Sequence, residues 1–567
     1  MKYQNLCTFI VLTCGACSQS DEPATAAADA VYMNAKIYTV DAANSWASAV
    51  AVTDGSIVAI GTDEDMATHI GDDTTVHDLQ RRMVMPGIHD THIHPSDAGI
   101  QKRLQCSFLT YDLNEALDAI KSCLADIPEG GWLRGGQWNE GLFVGSNKAP
   151  KNILDEIAPN HPVFLMDWTV HNAWVNTKAL EAFGIDDDTP DPNGGVIVRD
   201  LETREANGIL LDNAAYDYRR SLPAYSLKNR SAALAWSIDQ IAAYGVTTFK
   251  EALVTAASME AYADLHSKGE LPLNVKTNLT WKSSWAKSHE DEIALIESRG
   301  NHANNNIDTD FVKIMLDGIP PTYTAAMLEP YEPNDTFGDE WVGMLMHTPE
   351  DLAIDVTALD EMGLTIKIHA TGDRSVRIAL DAFEKAREAN GDSGLIHEVS
   401  HAALIHRDDI PRFAELNVAA EMCPILWYPI PGLDWEAWLG PDRQVWPVRT
   451  LVESGALVIY GSDWAVVPTP NPWPGIESMV TRSDPSGLDD DTLWPEQAVD
   501  LAIAIRIFTI NGAIANKVGD TSGSLEVGKD ADFIVLDRNV FEVPISDVGE
   551  TQVLLSVVGG KSVVDEL

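Results

Sequence analysis

Two histidines one residue apart, His92 and His94, lie in the run Pro86-Gly87-Ile88-His89-Asp90-Thr91-His92-Ile93-His94-Pro95. The short apolar stretch Met83, Val84, Met85 leads into them through a Pro-Gly corner. Side chains alternate along a strand, so both imidazoles leave it on one face. Two neutral imidazoles converging at a strand end suit a borderline-soft divalent metal such as zinc. Asp90 shares their parity and is within reach of such a site, whereas His89 points the other way. A lone His-x-His pair is more often solvated or hydrogen-bonded than metallated, so a catalytic metal needs further ligands on further strands. Three later segments supply them: residues 364–369 end in His369, 395–401 in His401, and 457–463 in Asp463 after a Gly-Ser corner. One apolar strand ending in His is commonplace; the order His-x-His, His, His, Asp is not.

The spelling of these segments carries a resemblance. PGIHDTHIHP (86–95), VKIMLDG (312–318), IHATGDR (368–374), VSHAAL (399–404) and GSDWAVVPTPNPW (461–473) are joined near the C-terminus by FTINGAIANKVGD (508–520) and GSLEVGKDADFIVLD (523–537). In these motifs the chain resembles the amidohydrolase superfamily of metal-dependent hydrolases, and within it the branch called YtcJ-like or amidohydrolase-3. The resemblance covers nearly everything from residue 31 to 567 and implies an α/β fold. This is a (β/α)8 TIM barrel whose active site sits at the C-terminal ends of the strands. A flanking β-sandwich made from both chain ends and a capping insertion after the first barrel strand complete it.

The same resemblance implies two divalent ions, zinc being expected, held by His92, His94, Lys313, His369, His401 and Asp463. Lys313 is the sharpest of these. It shares strand parity with Phe311, Met315 and Asp317, and burial of a lysine lowers its pKa, leaving a neutral amine able to react with carbon dioxide. The carbamate so formed would bridge the two metals, which is where the superfamily places such a lysine; the alternative is a plain ion pair with Asp317 or another interior carboxylate. Lys367, with the parity of His369, is a rival. Around His401 the run is Glu398-Val399-Ser400, where the family usually has Arg-Ile-Glu. His171, in the insertion, resembles a family residue that reaches the substrate, although Thr169-Val170 replaces the usual Asp-Gly before it. Trp464 and Asp317 are the other expected substrate contacts. Trp427, Tyr428, Trp446, Trp464 and Trp473 either line an apolar pocket or pack loops.

The implied chemistry is metal-assisted hydrolysis by a water of lowered pKa, with Asp463 as general base and then general acid. The His-x-x-Glu stretch typical of the superfamily's deaminases reads His369-Ala370-Thr371-Gly372 here, which disfavours deamination. Cleavage of an amide, N-acyl or N-formyl C–N bond in a small, aromatic or apolar substrate is the first reading. Lactone or ester hydrolysis at the same metals is its nearest competitor. A non-catalytic surface binding protein is opposed by six intact ligand positions.

These residues must be positioned by a large chain. At 567 residues it exceeds one ordinary core and implies two or three domains. With 39 basic against 86 acidic residues the net charge is -47, which excludes attraction to nucleic acid or anionic lipid as a main role. That charge reads as a hydrated acidic surface and says nothing of the substrate. Barrel strands are expected at the strand that begins with Met83–Met85 and runs into the His-x-His pair, then at 246–251, 274–279, 311–317, 364–369, 395–401, 418–421 and 457–463, interleaved with helices such as 231–244 and 375–389. The count reaches eight only if about 97–230 is the insertion within a barrel domain of 86–519. Short strands with turns at 31–85 and 520–567 form the composite sandwich; Asp54-Gly55 between apolar runs is a hairpin signal.

Residues 1–30 read as a leader and tether. The apolar run from Leu6 to Ala16 is too short to span a bilayer but fits a signal segment. The small residues before Cys17 resemble a bacterial lipoprotein cleavage box, making Cys17 the lipidated first residue, while Cys14 in place of the usual Leu keeps plain signal cleavage open. The expectation is an exported protein, periplasmic or an outer-membrane lipoprotein, touching membrane only through that anchor. Its expected partner is a small-molecule substrate, with a homodimer left open. Cys106, Cys123 and Cys423 remain, without a CxxC among them, so no thiolate metal site is indicated. A Cys106–Cys123 bridge is open in an oxidising compartment.

Overall fold

A computed structural model describes residues 27–567 apart from 109, 111, 334–336, 428–438, 440–442, 444, 489 and 490. Cys14, Cys17 and Tyr428 therefore lie outside the described residues. Eight strands run in sequence order through one all-parallel sheet: β1 (Ile88–Ile93), β2 (Val246–Val254), β3 (Asn274–Thr280), β4 (Ile307–Met315), β5 (Thr365–Ala370), β6 (His397–His401), β7 (Val418–Met422) and β8 (Leu457–Tyr460). Every residue of β1, β2, β5, β6 and β7 is buried. Burial on both faces is what a helix-covered parallel sheet gives, even though β1 and β6 carry mostly polar residues. Helices Leu227–Ala243 and Asp373–Asn390 sit where the sequence places them. The connections between strands turn sharply; Thr255 and Ser258 form a reciprocal cap at the start of the helix Ala256–Lys268.

The sheet is drawn shut by polar contacts between β1 and the corner after β8. Asp463 N donates to the His92 carbonyl at 2.8 Å, Thr91 Oγ1 donates to the Tyr460 carbonyl at 2.7 Å, and Ser462 N donates to Asp90 Oδ1 at 3.0 Å. The corner itself requires glycine. A Cβ at Gly461 would stand 2.5 Å from His92 Cβ and 3.3 Å from Glu421 Cδ. Gly461→Ala is expected to destabilise the fold by roughly 1–3 kcal/mol through overpacking and to displace His92 in the same movement. Thermal unfolding and bound metal measured on one preparation would check both effects; a variant with wild-type values for each would contradict this account of the corner.

The chain ends form the expected sandwich. A four-stranded sheet uses Ala30–Met33, Ala49–Thr53, Ser56–Gly61 and Thr75–Asp78; a six-stranded one joins Lys36–Tyr38, Trp46–Ala47 and Met83–Pro86 to Phe533–Leu536, Val553–Val558 and Lys561–Asp565. Val50, Val52 and Ile57 of the first pack with Ile37, Val84, Phe533 and Leu555 of the second. The insertion carries its own six-stranded sheet, from Cys106–Ser107 at one edge to Gly195–Arg199 at the other. A Cys106–Cys123 disulfide ties that first edge to the helix Leu113–Leu124. Among the described residues, no helix is long and apolar enough to cross a membrane.

Candidate metal centre

At the C-terminal mouth of the barrel the Asp463 carboxylate lies among three imidazoles. Its Oδ1 is 3.3 Å from His94 Nε2 and 3.6 Å from His92 Nε2, and its Oδ2 is 3.9 Å from His401 Nδ1. His92 and His94 leave β1 on one face, as their spacing requires, with ring centroids 5.3 Å apart. His401 ends β6, 4.7 Å from the His92 ring and 4.7 Å from that of His369. Burial, reinforced by the nearby Lys313, holds the pKa values of His92, His369 and His401 well below the ordinary histidine range. They are therefore neutral and offer lone pairs, which is the state a metal needs.

Donor atoms of His92, His94 and Asp463 all lie within 4.8 Å of one another, and so do those of His92, His401 and Glu421. Neutral imidazoles with carboxylates are a zinc-type donor set, so the residues present fit a divalent ion. His369 and Lys313 stand in the same cavity wall but outside these tight groups. His369 Nε2 is 3.1 Å from the Gly318 carbonyl. Lys313 Nζ donates to Ser400 Oγ at 2.9 Å, and burial lowers its pKa to about 7, so a neutral amine is accessible. The Ser400 that departs from the family spelling is thus the residue that holds Lys313. Lys367 is in a different situation. Burial works against its charge, but Glu398 and Glu421 outweigh that and raise its pKa, so it stays an ammonium and is no rival for carboxylation.

Above the histidines is a cavity walled by Trp168, Tyr216, Leu253, Trp285, Met315 and Trp446 among others. His171 enters it from the insertion. Its Nδ1 lies 2.7 Å from Asp212 Oδ1, leaving Nε2 for the cavity. Burial opposes a charge there, but the hydrogen bond and charge of Asp212 outweigh it, with help from Asp167 and Asp463, and raise the His171 pKa.

Two expected substrate contacts are placed elsewhere. Asp317 is fully buried outside the cavity lining; it accepts from Ser375 Oγ at 2.6 Å and from the backbone N–H groups of Ala326, Gly372 and Thr371 at 2.9, 3.0 and 3.1 Å. It fastens the loops after β4 and β5 rather than touching a ligand. Trp464 contributes its carbonyl, which accepts from His94 N at 2.5 Å, while its ring packs beside Trp236 away from the cavity. Of the aromatic group expected on these loops, Trp446 lines the cavity, and Trp427 and Trp473 are packed beneath. Asp90 does not join the donors: its Oδ1 accepts from the N–H groups of Ser462 and His92. His89 faces away, 3.2 Å from Ser522 Oγ.

Sequence reasoning passed over Asp212, Tyr216 and Trp285, which nothing local marks, and it gave no role to Lys250, Glu398 and Glu421. Of these last three, Glu421 did carry a signal, as a charged residue inside the otherwise apolar strand Val418–Met422.

Residues 75–564 match the model of the amidohydrolase family. An N-substituted formamide deformylase of Arthrobacter pascens is 29% identical over 541 residues, covering 94% of this chain and 97% of that protein. Among solved structures, an uncharacterized metal-dependent hydrolase from Pyrococcus horikoshii superposes with a TM-score of 0.70 at 21% identity, covering 91% of this chain and 99% of the other. An adenosine deaminase from Xanthomonas campestris, solved with bound zinc, gives a TM-score of 0.55 at 13% identity over 95% and 93% of the two chains.

Proposed function

The chain belongs to the amidohydrolase family, and on that premise we propose that it hydrolyses the C–N bond of a small N-formyl or N-acyl amide bearing an apolar or aromatic substituent. The observation that carries the reading is the Asp463 carboxylate, set among buried imidazoles at the floor of a cavity with largely apolar walls. The resemblance to an N-substituted formamide deformylase along nearly the full length of both chains supports the choice of bond.

A divalent ion, zinc in this proposal and two ions if Lys313 is carboxylated, would be held by His92, His94, His369, His401 and Asp463 and would supply an activated water and a polarised carbonyl. The protein's own residues do the rest. Asp463 takes a proton from the attacking water at its carboxylate and delivers it to the leaving nitrogen, so that water and amide become carboxylic acid and amine. His171, its Nδ1 fixed by Asp212, presents Nε2 to the substrate's polar end. Trp168, Tyr216 and Trp285 hold the substituent and keep bulk water off the reacting atoms. The Cys106–Cys123 disulfide, with the N-terminal apolar run read as a leader, supports export to an oxidising compartment.

A mass-spectrometric panel of N-formyl amines, N-acyl amino acids, small peptides and lactones, run on metal-loaded leaderless protein, tests the proposal. Release of a free apolar or aromatic amine is expected. Ring opening of lactones without amine release would move the assignment to lactone or ester hydrolysis, and inactivity across all classes in a protein that also retains no metal would return it to a binding protein.

A further inference from the structure

Beneath the centre, charged side chains from four strands form a connected chain that ends on a candidate ligand. Lys250 of β2 bonds Glu398 of β6, and Glu398 Oε2 lies 3.0 Å from Lys367 Nζ of β5. Lys367 in turn bonds Glu421 of β7 and the Thr91 carbonyl of β1, the latter at 2.5 Å. Glu421 Oε1 lies 2.5 Å from His92 Nδ1. Lys250, Glu398, Lys367 and Glu421 are each 0% exposed. An array of buried ions costs so much desolvation that apolar residues of the same volume stabilise a fold at least as well. Its presence directly under the site therefore calls for a role there.

Glu421 could play either of two parts. Its carboxylate is close enough to His92 and His401 to count as a donor for an ion. Both oxygens, however, are engaged: Oε1 by His92 Nδ1 and Oε2 by Lys367. A neutral imidazole carries one N–H, and holding it on Nδ1 leaves the lone pair on Nε2. Nε2 is the nitrogen that faces Asp463, at 3.6 Å.

We propose that Glu421 is a positioning residue for His92, fixing the tautomer and ring direction that aim Nε2 at the metal, and that Lys367 occupies the second carboxylate oxygen so that Glu421 does not become a ligand itself. Lys250 and Glu398 continue the same chain of ion pairs away from the centre. A hydrogen-bonded carboxylate behind a histidine ligand raises ligand basicity and orders the ring, and its loss weakens metal binding.

The test uses metal-stripped protein and reads zinc rather than turnover. In the Glu421→Gln variant, competition with a chromophoric chelator is expected to show an affinity about 10- to 100-fold weaker. The number of zinc equivalents bound at saturation should stay at the wild-type value, while the metal-free form should melt lower because Lys367 keeps its charge with one carboxylate fewer. Nitrogen-15 spectra of histidine-labelled wild type, with His92→Asn to assign the signal, are expected to show the Nδ1–H tautomer at His92. That spectrum decides the question even if the variant folds poorly. Three results would overturn the proposal: zinc affinity unchanged in Glu421→Gln, loss of a whole zinc equivalent at saturation (which would make Glu421 a ligand), or an Nε2–H tautomer in the wild type. Each is independent of which bond the enzyme cleaves, so this inference and the substrate assignment fail separately.

Discussion

Asp463→Asn is expected to lower kcat by about 10²- to 10⁴-fold, the range a positioned acid–base group supplies. Asparagine nearly matches aspartate in shape and keeps an oxygen among the imidazoles, so the fold and the closure of β8 on β1, which runs through the Asp463 backbone N–H, should persist. What it loses is the ability to hold a proton between the attacking water and the leaving nitrogen. The carboxylate lies within 4 Å of three separate imidazoles, so metal affinity is expected to fall as well, and turnover must be measured at saturating metal to isolate the proton-transfer loss. A variant that folds, binds metal and turns over at the wild-type rate would remove Asp463 from the chemistry.

The second large effect concerns Lys313. Burial brings its pKa to about 7, and Ser400 holds its Nζ in the cavity wall. In a carboxylated protein the amine nitrogen has attacked carbon dioxide, an N–C bond has formed and one proton has been released. Protein metallated in 13C-labelled bicarbonate is then expected to carry one extra carbonyl signal that is absent from Lys313→Ala. That variant should lose activity by roughly 10²- to 10³-fold, as when one fixed charge-stabilising group is removed from a site. If the wild type takes up no label while Lys313→Ala remains inactive, the lysine acts as a hydrogen-bonding cation at Ser400 and the two metals share no carbamate.

Much of this architecture could be read from the chain. The barrel strands were legible from the apolar residues within or before them and from ends marked by His94, His369, His401 and Asp463. The paired sheets at the chain ends were legible because neither end could bury its strands alone. What escaped were partnerships across long sequence separations. Asp212 meets His171 only because two strands of the insertion pair antiparallel at Asn172 and Leu211. Glu421 meets His92 only through barrel closure, 329 positions away in the chain. Asp317 and Trp464 misled for a related reason. They sit beside motif residues in sequence, yet the turn after each strand aims Asp317 at the loop after β5 and the Trp464 ring at Trp236 of the helix Leu227–Ala243. Sequence proximity to a ligand indicates the neighbourhood of a site, while backbone direction decides who enters it.

The most direct test of the central claim is a zinc titration of metal-stripped protein, following amine released from the best N-formyl or N-acyl substrate. The account predicts no amine at zero zinc and a linear rise that saturates at no more than two equivalents, with Asp463→Asn about 10²- to 10⁴-fold slower at saturation. Amine release that is undiminished in the stripped protein and indifferent to added zinc would contradict it.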